Sequence, residues 1–248
     1  MKTAFIELGT GEEIPILYED RSVIAVDKPA GWMLVPTTWQ RTQRNLQAAI
    51  ESSIAAGQFW ARSRNLKFLR YVHRLDAETS GVLLFGKTPG AVRSYGELFE
   101  SRRMEKLYLA VIERQPKQAG WVCREPIGEE CSSPKRMKID ARQGKAAETH
   151  FKVLATSAGG TLVEARPITG RTHQIRVHLK HSASPVVGDT LYGKGGKNVT
   201  MALRSVMLSY RDPFTRKPVC VKAAVDDFLK MYNFSADKVG FSQWITTT

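Results

Sequence analysis

The chain has little cysteine, and what it has is scattered. Cys123, Cys131 and Cys220 are the three cysteines in 248 residues. An odd number with no metal-type spacing excludes a disulfide framework and a cysteine-based metal site, and it points to a reducing compartment. Long apolar runs are also missing. None approaches the roughly 18 residues of a membrane helix, so no membrane association is expected. The first residues, Met1-Lys2-Thr3-Ala4-Phe5-Ile6-Glu7, hold no long apolar stretch and an early acid, so no signal peptide is expected and the protein should be cytoplasmic. Acids are the minority charge, 24 against 37 lysines and arginines, for a net charge of +13. That excess suits a polyanionic partner, with nucleic acid the leading candidate. A solvated basic surface without a specific partner is the plainer alternative.

What is present is ordinary globular material. With 42% apolar and 25% charged residues, the chain can bury a sizeable core as one large domain or a domain with a small appendage. Residues 1–14 are polar and read as a loose arm, so we place an arm at 1–15 and a single domain at 16–248. Ile16 to Val26 reads as strand, turn, strand, and Lys28-Pro29-Ala30-Gly31 breaks the chain direction. Asn45 to Ala56 has helical spacing, Phe59 to Lys67 reads as an aromatic, basic surface loop, and Pro89 to Phe99 as a helix with proline near its start. Strands are expected at 82–85, 105–112, 121–124, 148–155, 161–165, 204–210 and 218–223. Residues 125–147 form either a mobile basic loop or a hairpin. Arg171 to His181 reads as a helix, with another near Phe228 to Tyr232. Many strands with scattered helices indicate an α+β fold.

Three segments could carry chemistry. In His73-Arg74-Leu75-Asp76-Ala77-Glu78-Thr79-Ser80-Gly81, a carboxylate sits just before the apolar run Val82 to Phe85. Asp76 would stand at the mouth of a rigid strand as an ionised nucleophile. Taken alone, an Asp beside an Arg is more often a structural ion pair. No glycine-rich phosphate loop accompanies it, which excludes a kinase, and no partner carboxylate, which weakens a glycosidase reading. The second segment is Gly170-Arg171-Thr172-His173-Gln174-Ile175-Arg176-Val177-His178-Leu179. There Thr172, Arg176 and Lys180 share one helical face and Ile175 and Leu179 another. A basic surface helix would look the same. His173, His178 and His181 do not share a face, so no metal is expected. The third is Lys106-Leu107-Tyr108-Leu109-Ala110, where Tyr108 lies opposite the Leu107–Leu109 face of a strand. It either borders a cleft, where it could stack on a base, or is a core tyrosine.

Taken together, these segments resemble the RluA-type RNA pseudouridine synthases. The resemblance rests on His73-Arg74-Leu75-Asp76 with Thr79-Ser80-Gly81, on Lys106-Leu107-Tyr108-Leu109-Ala110, and on Gly170-Arg171-Thr172-His173-Gln174-Ile175-Arg176. Weaker support comes from Leu17-Tyr18-Glu19-Asp20, Lys28-Pro29-Ala30-Gly31, Lys145-Ala146-Ala147-Glu148-Thr149 and the stretch from Pro185 to Gly193. They occur in the family's order from about residue 16 to about residue 225. The resemblance implies a mixed, mostly antiparallel central sheet with flanking helices and an RNA-binding cleft. It also implies isomerisation of uridine to its carbon-linked isomer, with no metal and no cofactor. By motif match, Asp76 is the nucleophile, Tyr108 stacks on the flipped base, and Arg74 fills the gap in the RNA stack. Arg176 pairs with Asp76, with Arg171 the less favoured holder of that role. His73, Arg171 and Ile175 belong to the same substrate-binding motifs.

The chain departs from the family pattern in two places. Only about 15 residues precede the first strand, too few for the small N-terminal RNA-binding domain of many members. The segment Met33-Leu34-Val35-Pro36 lacks a His that relatives often place before that Pro. The expected substrate is large-subunit ribosomal RNA, with transfer RNA as the alternative, and the protein is expected to be monomeric. Candidate backbone contacts are Arg102, Arg103, Lys135, Arg136, Lys138, Lys194 and Lys197. The rival readings are a non-catalytic RNA-binding or ribosome-assembly protein on the same fold and a carboxylate-dependent nucleoside hydrolase.

Overall fold

Apolar runs flanked by turn residues dictate most of the strands in the structure, a computed structural model that describes residues 2–34, 44–131, 136–195, 199–236 and 239. The chain divides into two units, residues 1–104 with 208–223, and residues 105–207 with 224–248.

In the first unit, β1 (Phe5–Glu7) pairs antiparallel with β2 (Glu13–Glu19), with Ile6 opposite Ile14. β2 pairs with β3 (Val23–Lys28), through a register shift between Ile16 and Tyr18. β4 (Arg70–Tyr71) and β3 both pair antiparallel with β5 (Ser80–Gly86). Val23 to Val26 and Val82 to Phe85 are wholly buried, so these near-continuous apolar runs are covered on both faces. Three helices complete the unit: α1 (Leu46–Ala55), α2 (Phe59–Arg62) and α3 (Pro89–Glu100). Their starts follow from capping chemistry. Asn45 Oδ1 accepts from Ala48 N at 3.1 Å, and Thr88 Oγ1 accepts from Ala91 N at 3.1 Å ahead of Pro89. Val23, Ala25, Val82, Leu84, Tyr95 and Leu98 form the centre of this unit's core.

In the second unit, β6 (Glu105–Ile112), β11 (Gly160–Pro167), β10 (Thr149–Ser157) and β7 (Gly120–Cys123) pair antiparallel in that spatial order. A separate hairpin, β8 (Ile127–Glu130) with β9 (Arg136–Ile139), packs with α4 (Gln174–Ser182) around Ile127, Met137, Val177 and Tyr192. β12 (Leu203–Arg211) contributes its first five residues to the second unit and its last four to the first. β13 (Pro218–Lys222) pairs with β12, and α5 (Asp226–Met231) belongs to the second unit. Mostly antiparallel strands with a few helices make an α+β fold, and an isolated bridge between Met33 and Asn45 is parallel.

The structure corrects three expectations. Residues 1–14 are no loose arm: they form β1 and the start of β2, and Ile6, Leu8 and Ile14 are buried. Phe59 to Lys67 is no plain surface loop, because α2 buries Trp60, whose indole Nε1 donates to Ser53 Oγ at 2.7 Å. The 171–181 helix starts three residues late, at Gln174, so Thr172 lies off the helical face assigned to it. His173 precedes that helix in the left-handed region, at φ 54°, a conformation no periodicity argument signals. Of the two alternatives for 125–147, the hairpin is the one observed. Val35 and Pro36, and the candidate contacts Lys135 and Lys197, lie outside the described residues. Among the described residues, no helix is long and apolar enough to cross a membrane.

Candidate active site

Asp76 lies in the turn between β4 and β5, and that turn is built by a change of ladder partner. The β4 backbone stays on β5 as far as Val72, whose N–H donates to Leu84 O at 2.8 Å. The next rung is a side chain: Leu84 N donates to His73 Nε2 at 3.2 Å. The backbone can then leave the sheet and carry Arg74 and Asp76 outward. Thr79 N closes the turn on Asp76 O at 3.1 Å, and Gly81 takes φ 109° at the entry to β5, where a side chain would be strained. Arg74 is exposed and Asp76 half-buried. His73 stacks on Phe99, centroids 4.5 Å apart. Its Nε2 accepts a backbone proton, so that nitrogen carries none. This makes His73 a support of the turn.

The same turn is pinned from below. Lys28 is fully buried, and its Nζ donates to Pro29 O, Trp32 O and Ala77 O, each at 2.9 Å. Ala77 O also accepts from Gly31 N at 2.8 Å. Burial pushes the Lys28 ammonium down to about 8, against the opposing pull of Glu78 and Asp76. The Lys28-Pro29-Ala30-Gly31 segment read as a mere chain break is thus the anchor for the residue following Asp76.

In the second unit, Tyr108 stands on β6 opposite Ala165 of β11. It is 8% exposed. From Leu107 onward the strand is buried on both faces. Lys106 shares the Tyr108 face; its Nζ donates to Thr169 O at 3.0 Å, and burial holds it down at about 8.

Gln174 organises the Gly170–Arg176 segment. Its Oε1 accepts from Thr169 Oγ1 at 2.7 Å and from Arg171 N at 2.9 Å, and its Nε2 donates to Glu148 O and to Thr149 Oγ1, both at 2.9 Å. An amide has two donors and two acceptor positions, and all four are used. The chain of bonds continues: Thr149 Oγ1 donates to His178 Nδ1, and His178 Nε2 donates to Glu125 O, both 2.9 Å. Burial lowers the His178 pKa, consistent with a neutral ring whose two nitrogens are both engaged. Arg171 Nε donates to Ala146 O at 3.0 Å, and Ile175 is buried.

Arg176 is 1% exposed and carries a partner not anticipated from the sequence. Its Nε and Nη2 bind Asp189 Oδ2 and Oδ1, both at 2.8 Å, as a bidentate fork. Asp189 is buried too, which by itself would raise its pKa; the Arg176 guanidinium, with the Tyr192 and Leu191 backbone N–H groups, brings it below the usual carboxylate range. Asp189 needs a tight approach at Gly188, at φ 76°, where a Cβ would fall 2.4 Å from Thr200 O. The signal was in the sequence, since Gly188-Asp189 sits in a family-like stretch, but nothing local tied it to Arg176. The structure therefore places the candidate residues in two sets, His73–Asp76 on the first unit's turn and Tyr108, Arg171, Ile175 and Arg176 in the second unit. Among the described residues, no His, Cys, Asp and Glu side chains cluster as a metal site.

A model of the RNA pseudouridylate synthase family matches residues 22–181. The chain belongs to the RNA pseudouridine synthase family. An RNA pseudouridine synthase of Bacillus subtilis is 33% identical over 214 residues, covering 85% of this chain and 68% of that protein. Ribosomal large subunit pseudouridine synthase C of Escherichia coli is 34% identical over 226 residues, covering 87% of this chain and 67% of that one. Two solved human proteins share the fold. RNA pseudouridylate synthase domain containing 4 has a TM-score of 0.69 at 21% identity, over 88% of this chain and 90% of its own. Domain containing 1 has a TM-score of 0.63 at 24% identity, over 95% and 98%. The synthase is thus an isomerase that converts uridine to pseudouridine in RNA, of the RluA type expected from its motifs.

Proposed function

We propose that this synthase modifies a uridine of large-subunit ribosomal RNA with Asp76 as its nucleophile. The observation that carries the assignment is the turn itself. Asp76 is a half-buried carboxylate at the mouth of a strand buried from Gly81 onward, braced by His73 on one side and by the Lys28–Ala77 bond on the other. A carboxylate with a catalytic task needs that rigidity, because small misplacements cost large factors in rate. The target follows the named activity of the Escherichia coli relative.

The reaction breaks the bond from the sugar to a base nitrogen and remakes it to a base carbon; the carbon loses a proton and the nitrogen gains one, so no co-reactant is consumed. Attack by Asp76 on the base, attack on the sugar, and removal of a sugar proton all require it ionised. Arg176, held rigid by Asp189, is its counter-ion in this reading, with Arg171 the alternative. Arg74, exposed on the same turn, takes the space of the extruded uridine and offsets part of the flipping cost of a few kcal/mol. Tyr108 stacks on the base.

The test is single-turnover isomerisation of an unmodified large-subunit ribosomal RNA transcript. Asp76→Asn should lose at least about 10³-fold in rate while retaining RNA affinity. Appreciable turnover by this variant would remove Asp76 from the mechanism. Tyr108→Phe should cost less than Tyr108→Ala, because the ring is the working part. Mapping pseudouridine in total RNA with and without the protein names the target, and a change confined to transfer RNA would replace the ribosomal assignment.

A further inference from the structure

The second unit contains a cavity of ≈ 420 Å³ between β9 and α4, lined by Arg136, Lys138, Lys180, His181, Tyr192 and Glu130 among others. It lies on the β8–β9 hairpin side of α4, and none of Asp76, Tyr108 and Arg176 lines it. Its apolar backing is the Met137, Val177 and Tyr192 cluster. Three permanent cations face one carboxylate there. The Arg136 guanidinium carbon and the Lys180 ammonium each stand 5.8 Å from the centre of the Tyr192 ring. A ring face draws cations together but neutralises neither. Arg136 Nε is buried with no hydrogen-bond partner among the described residues. Buried donors are rarely left unpaired, and each asks for an explanation.

We propose that this cavity is a binding site for one backbone phosphate of the RNA, at a nucleotide other than the one isomerised, with Arg136 and Lys180 as its principal ligands. The inference rests on the reading of the protein as an RNA-modifying enzyme. Three converging cations against one carboxylate suit a phosphodiester, and the planar guanidinium of Arg136 matches its paired oxygens. Lys180, one helical turn after Arg176, adds a point charge from the opposite wall. The site is also wired to the catalytic motif. The Tyr192 hydroxyl accepts from Met137 N at 2.8 Å and meets His173 Nδ1 at 2.8 Å. A phosphate gripped over Tyr192 is thereby referenced to the Gly170–Arg176 segment, and the RNA is held in register with it.

The experiment measures affinity for an unmodified large-subunit ribosomal RNA transcript across a salt series, for wild type, Arg136→Met, Lys180→Met and the double variant. Losing one phosphate contact should flatten the slope of log affinity against log salt by about 0.7–0.9. Because both residues hold one phosphate, the double variant should lose about as much slope as either single variant. Affinity at moderate salt should fall roughly 5- to 20-fold, and Arg136→Lys should recover part of it. Unchanged affinity and slope in the double variant, with its melting temperature intact, overturns the proposal. So does a doubled slope change, the signature of two independent solvated charges. If inorganic phosphate at constant ionic strength raises the melting temperature of the wild type while the RNA slopes do not move, the cavity takes a free anion and the RNA assignment fails. Failure of the catalytic reading looks different: Asp76→Asn would keep turnover, whatever the salt slopes of the cavity variants.

Discussion

Lys28 in the first unit and Lys106 in the second are both buried enough for the ammonium to fall to about 8, yet they are held in different ways. Lys28 spends its three donor hydrogens on three carbonyls, Pro29 O, Trp32 O and Ala77 O. Among the described residues, Lys106 makes one hydrogen bond, to Thr169 O. An ammonium has three donors and no acceptor, so the first is saturated and the second is not. The segment next to Lys106 is instead stiffened by Gln174, a neutral amide with four bonds. Each unit thus braces its own motif around one saturated polar group, an ammonium under the Asp76 turn and an amide inside the Gly170–Arg176 segment. A low lysine pKa reports burial in both places and does not say which lysine carries the structure.

Substitution separates the two roles. Lys28→Met keeps the volume but takes a donor from three carbonyls, the buried Trp32 O and the half-buried Pro29 O and Ala77 O, and at about 1–3 kcal/mol for an orphaned group it should cost about 3–4 kcal/mol in urea unfolding. That is a large share of the roughly 5–15 kcal/mol that holds a domain folded. It should also lower kcat more than it changes KM, since the Asp76 turn loses its anchor. Gln174→Ala should cost about 2–3 kcal/mol, because Thr169, Arg171 N, Glu148 O and Thr149 lose a partner together. If the two losses were reversed in size, the amide rather than the ammonium would be the stronger brace.

These contrasts also mark what could be read from the chain. The motifs of Asp76, Tyr108 and Arg176 were legible because each is a short contiguous pattern, and β5, β6 and α3 because apolar runs, a capping threonine and an early proline are local signals. In the sequence Lys28 reads only as part of a chain break, since its partner Ala77 lies 49 residues away. Asp189 stands 13 residues from Arg176, and Gln174 was one letter of a motif until Glu148 and Thr149 closed around it. α2 is four residues long, too short to show a period, and β1 is three. What escaped sequence reasoning was pairing across distance, which residue type and spacing do not encode.

The pH response tests the shared part of the comparison. For either lysine the folded-state pKa, about 8, lies below the ordinary 10.5, so between these values the unfolded chain binds more protons. Stability should therefore rise with pH across that window, and below about 8 the cost of burying the charge is fully present. The wild type should gain on Lys106→Met by about 2 kcal/mol between pH 8 and 10, measured as paired urea curves. A flat difference would mean that Lys106 is hydrated well enough to keep its ordinary pKa.

The smallest effect is expected for Lys106→Met at pH 7. The change removes an ammonium whose burial is costly and whose one hydrogen bond is worth about 1.5–3 kcal/mol, and it replaces the stem with an apolar chain of similar length. Isosteric replacement of a poorly compensated buried charge is often close to neutral, so stability should move by less than about 1 kcal/mol. Lys28→Met is the same chemical substitution, and the two differ in how many carbonyls are left behind. A loss at Lys106 as large as that at Lys28 would show that the single bond to Thr169 O secures the Gly170–Arg176 segment after all, and the brace assigned to Gln174 would have to be shared with it.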